Sequence, residues 1–83
     1  MTAQNYEGLE LPETGDAQFR TRETLYTIRQ ENGRWMLFGH FSPGSATPLI
    51  TFSEHDGVWT ALEVNGEGRT RHSTWQEAVR SAL

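Results

Sequence analysis

The chain has no cysteine and no lysine. Without cysteine, no disulfide can staple the fold, and no thiolate can act as nucleophile or metal ligand. A reducing compartment agrees with that usage. Without lysine, all seven basic residues are arginine. A GC-rich coding sequence explains this blandly; an arginine-lined anion site explains it sharply. Apolar residues are also scarce: they make up 35% of 83 positions. The core must be small, with three Trp and four Phe supplying much of its buried area. No apolar run approaches the roughly 20 residues that span a bilayer. Met1 to Gly15 lack the basic region and apolar run of a secretory leader. These absences lead us to expect one small domain in the cytoplasm, with no membrane contact.

The net charge of −4 is unevenly placed. Glu7, Glu10, Glu13 and Asp16 precede the first basic residue, Arg20, and the remainder is close to neutral. Such a distribution suits neither a mimic of nucleic acid nor a strong binder of it. Residues 1–16 also hold Gly8, Pro12 and Gly15 without periodicity, and read as an acidic, flexible arm. Tyr6, Leu9 and Leu11 are its docking points if it docks. A single domain is then expected over residues 17–83.

From Thr24 the pattern becomes β. Thr24–Arg29 is rich in β-branched and aromatic residues, and Asn32-Gly33 separates it from Arg34-Trp35-Met36-Leu37-Phe38. Two registers compete. A two-residue Asn-Gly turn pairs Ile28 with Leu37. A three-residue turn pairs Ile28 with Met36 and gathers Tyr26, Ile28, Met36 and Phe38 on one face; we take this second register as the expectation. Residues 42–48 form a loop rich in Ser, Pro and Gly. A second hairpin joins Leu49–Ser53 to Val58–Val64 through His55-Asp56-Gly57, again read as a three-residue turn. Ile50 and Phe52 then share a face with Val58, Leu62 and Val64. Asn65–Gly68 is a further turn, and Arg69–His72 suits a short, charged edge strand.

The C-terminal stretch predicts a helix of about ten residues. Thr74 and Glu77 form a Thr-x-x-Glu capping box. Trp75, Ala78, Val79 and Ala82 fall on one helical face. The expected fold is therefore α+β: an antiparallel meander of four or five strands with one short helix packed on one face. This order of elements is similar to that of several small bacterial and phage domains, and short sheets beside helices also occur in integrase arm-binding domains. The likeness covers a turn and a helix and assigns no family.

Chemistry-bearing patterns are few. His40, His55 and His72 have no metal-ligand spacing, and Asp56 before Gly57 is explained by turn geometry. No Gly-x-Ser-x-Gly, paired carboxylates or phosphate-cradling loop is present. Neither a metal, a cofactor nor a catalytic residue is expected. What remains is surface. In the chosen registers Leu25, Trp35, Leu37 and Trp59 point away from the core and form a patch for a protein partner or a second copy. An accessory protein of a phage or mobile element, binding a host complex, is one concrete form of that reading. The alternative is a nucleic-acid module, with Arg29, Arg34, Arg69 and Arg71 beside the exposed Trp rings.

Overall fold

The computed structural model describes residues 10–21 and 23–83. The expectations placed on Tyr6, Leu9 and the rest of residues 1–9 lie outside them.

Six strands form one antiparallel sheet in consecutive order. They are β1 (Asp16–Thr21), β2 (Thr24–Glu31), β3 (Arg34–His40), β4 (Thr47–His55), β5 (Val58–Glu63) and β6 (Arg69–His72), followed by the helix α1 (Trp75–Arg80). The α+β meander is as expected, with one strand more than the four or five counted from sequence. The addition is β1. Its sequence, Asp-Ala-Gln-Phe-Arg-Thr, contributes only Phe19 as a large apolar residue, buried against the Tyr26 ring at a centroid distance of 5.2 Å. A strand with a single large anchor gives almost no periodic signal.

Both expected registers are corrected. Asn32 and Gly33 have φ of 55° and 79°, and Asp56 and Gly57 have 54° and 81°. Two successive positive φ values describe a two-residue type I′ turn, whose twist matches that of the flanking strands. Glu31 therefore pairs with Arg34 and His55 with Val58. Ile28 faces Leu37, which faces Ile50 across β3 and β4; Trp35 faces Phe52, which faces Ala61. The one-residue change turns every side chain of β3 and β5 over relative to expectation.

The inner face now holds Phe19, Tyr26, Ile28, Leu37, Ile50, Phe52 and Ala61, all buried. Complete burial of Ile28, Leu37 or Phe52 contributes about 1.5–3 kcal/mol each. Met36, Phe38, Val58 and Leu62, expected on this face, lie on the opposite one, and Val64 falls in the turn after β5, partly exposed.

Two pieces of chain cover the inner face. Helix α1 contacts β4, β5 and β6 and buries Ala78 and Val79. It is shorter than expected, but its start follows the sequence. The Glu77 amide donates to Thr74 Oγ1 over 3.2 Å, and Glu77 Oε1 accepts from the Ser73 amide over 3.1 Å. Ahead of β1, Leu11 packs on the core and the Trp35 Nε1–H donates to the Pro12 carbonyl over 2.9 Å. The Gly15 carbonyl accepts from the Gln30 amide. Residues 10–16 are thus attached to the sheet rather than set apart from it. Among the described residues no helix is long and apolar enough to cross a membrane.

Candidate functional site: the open face of the sheet

Strand alternation assigns the outer face. On β2 it takes Leu25, Thr27, Arg29 and Glu31; on β3, Arg34, Met36, Phe38 and His40. Thr51 and Ser53 of β4, Thr60 and Leu62 of β5, and Arg69 and Arg71 of β6 continue it. No element among the described residues packs on this face: the helix and the segment before β1 are both on the inner side. Leu25, Met36, Phe38 and Leu62 are nevertheless only partly exposed, and Arg29 lies over the Phe38 ring.

The register arranges these side chains in rows. Met36 pairs with Arg29 and with Thr51, Thr51 with Leu62, and Leu62 with Arg69. One step along, Ser53 pairs with Thr60 and Thr60 with Arg71, while Arg34 of β3 pairs with Glu31 of β2. Small hydroxyl side chains of β4 and β5 therefore lie between the arginines of β2 and β3 on one side and those of β6 on the other.

Two local devices order the β1–β2–β3 side. Arg29 donates from Nε to Asp16 Oδ1 over 3.0 Å and from Nη2 to Asp16 Oδ2 over 3.3 Å, while its guanidinium carbon lies 5.1 Å over the Phe38 ring centroid. The hydrogen bond from Arg29 holds the Asp16 carboxyl below its usual range, against an opposing desolvation effect, and the same bond raises the Arg29 pKa. Nearby, Thr27 is buried and its Oγ1 accepts from Gln18 Nε2 over 3.3 Å; His40 Nε2 is 2.7 Å from the same oxygen. Thr27 is buried although it lies on the outer face, and the chain Gln18–Thr27–His40 gives its hydroxyl partners.

Of the four residues expected to form a partner patch, Leu25 is on the open face and the other three are not. Leu37 is fully buried. Trp35 and Trp59 pack on the inner face with ring centroids 5.5 Å apart, each 6.1 Å from Phe52. Arg29, Arg34, Arg69 and Arg71, named for the alternative reading, do share the open face and are all exposed. Sequence reading missed Met36, Phe38, Leu62 and the hydroxyl centre. The signal that would have found them was Asn-Gly itself, the preferred sequence of a two-residue type I′ turn.

A concavity lies at the other side of the sheet, where the end of α1 meets β4 and β5. It has a volume of about 380 Å³ and is lined by Ile50, Ala61, Glu63, Asn65, Thr70 and Ala82, among others. The Glu63 carboxylate there accepts from the Gly68 amide over 3.3 Å. His55 and Asp56 approach to 3.2 Å at the exposed β4–β5 turn. No group of three potential metal-ligating side chains is found among the described residues.

Compared with known protein families, with curated proteins and with solved structures, the chain matches none.

Proposed function

We propose that this chain is a small non-catalytic protein-binding module of the cytoplasm, with the open face of the sheet as its docking surface. The observation that carries this reading is the composition of that face. A solvated sheet face ordinarily alternates to polar residues. Here β3 is apolar on both sides, and Leu25, Met36, Phe38 and Leu62 lie uncovered by any described element. Apolar side chains set among arginines are the composition of interfaces, where arginine is enriched at energetic hot spots.

A photo-crosslinking residue at Thr51, in the middle of the face, tests the proposal in cells that carry the protein. Discrete protein adducts from Thr51, with none from the same residue placed at the exposed Glu67, are the expected result. Absence of adducts from Thr51 would contradict it.

A second reading, nucleic-acid binding, draws support from the gathering of Arg29, Arg34, Arg69 and Arg71 on one face. It predicts a steep loss of affinity with salt. It is the weaker of the two, because Trp35 and Trp59, the rings that would have stacked bases, belong to the core.

A further inference from the structure

We infer that the open face takes an acidic, amphipathic protein segment, laid between its two arginine margins. The inference rests on the docking-surface reading and adds the chemistry of the partner. Its basis is the sorting of charge. The chain as a whole is negative, at −4. Yet Arg20, Arg29, Arg34, Arg69 and Arg71 all lie on this face by register, and the acids that share it on the strands are Asp16 and Glu31. Asp16 is already engaged by Arg29. Glu31 stands directly across from Arg34, whereas Arg69 and Arg71 face Leu62 and Thr60, and among the described residues no ion pair is found for either of them. The face is therefore positive on an acidic protein, and its complement is negative. A second copy presenting the same face brings arginine against arginine, which disfavours self-association through it.

Shape narrows the class further. Neighbouring strands are about 4.8 Å apart, so Arg34 on β3 and Arg71 on β6 are rooted about 14 Å apart, and Arg29 and Arg69 about 19 Å apart. Between them lie Thr51, Ser53 and Thr60, with Met36 and Leu62 as the apolar contacts. A helix is about 10–12 Å across with its side chains. One with an apolar stripe and acidic flanks can set the stripe on Met36 and Leu62 and reach the arginines on either side. Among the described residues, Phe38 is the one Phe, Tyr or Trp ring that a single nucleic-acid strand finds on this face, and Arg29 already covers it. The scarcity of aromatic platforms favours protein over nucleic acid.

The test is an NMR titration of the full chain with three probes. These are an 18-residue amphipathic peptide with a leucine stripe and glutamate flanks, its twin with lysine flanks, and a 12-nucleotide oligo-dT. The expected result is that the glutamate peptide alone shifts the amides of Thr51, Thr60 and Leu62 while sparing Ala78 and Val79. The double variant R69E/R71E, at positions that face Leu62 and Thr60 across the strands, should keep its melting temperature and lose about tenfold or more in affinity. Equal binding of the lysine twin would overturn the inference, as would oligo-dT shifting these residues in place of the glutamate peptide. So would binding that appears only after removal of residues 1–9, or a concentration-dependent dimer that occupies the face. If no probe binds while the Thr51 crosslinker still captures protein, the acidic partner falls and the docking surface stands. If both fail, both fall.

Discussion

The Arg29 guanidinium lies 5.1 Å over the ring of Phe38, on a face of the sheet that no described element covers. The same guanidinium holds Asp16 of the neighbouring strand. One cation thus shields an aromatic ring and ties β1 to β2, so an edge strand with a single large apolar anchor, Phe19, gains a polar one.

That tie has a definite pH dependence. The folded-state pKa of Asp16 is depressed by its bond from Arg29. A depressed carboxylate contributes stability that is present above its unfolded value and lost as pH falls through the folded one. Asp16→Asn should therefore lower the urea midpoint at pH 6. The difference from wild type should shrink as pH falls below the ordinary carboxylate value of 3.8. Because both groups are exposed, molar salt should shrink it as well. A difference that persists unchanged at pH 2 would show that the substitution acts through something other than the ion pair.

The turns make a second prediction. In a two-residue type I′ turn both central positions are left-handed, so Asn32→Ala and Gly33→Ala should each destabilise by about 1 kcal/mol. In a three-residue turn with a left-handed glycine alone, only the second would. Denaturant unfolding of the two variants separates these cases, and the Asp56-Gly57 pair allows the same comparison.

Neighbouring residues of β3 carry the third. Leu37 is fully buried and Met36 is half-exposed on the other face. Leu37→Ala should cost about 2–5 kcal/mol. Met36→Ala should cost under about 1 kcal/mol, as for a partly exposed site. The register expected from sequence predicts the reverse order, and urea midpoints of the two variants decide between them.

That reversal shows where sequence was informative and where it was not. The cap formed by Thr74 and Glu77, the burial of Ala78 and Val79, both hairpins and the charged edge at Arg69–His72 were all legible, because each rests on local chemistry. The faces were not. Residues 35 to 38, Trp-Met-Leu-Phe, are apolar at every position, so alternation cannot say which pair points inward. The choice passed to the turn, and the chemistry of Asn-Gly decides it more reliably than the sorting of side chains. β1 was missed for a related reason: Phe19 is its only large apolar residue, and its pairing depends on Tyr26 and Arg29 from another strand. The candidate site followed the faces. The shorter turns bring Arg34 onto the face of Arg29, with Arg69 and Arg71, and move Trp35, Leu37 and Trp59 to the core together.

The claim on which the rest depends is that this chain leaves one face of its sheet open. Relaxation of side-chain methyl protons by a neutral soluble gadolinium chelate measures that directly on the full chain. An open face gives strong enhancement at the methyl groups of Met36, Leu62 and Leu25, and protection at Ile28, Leu37 and Ile50. Protection of Met36 and Leu62 to the same degree as Leu37 would mean that the face is covered, and would contradict the claim.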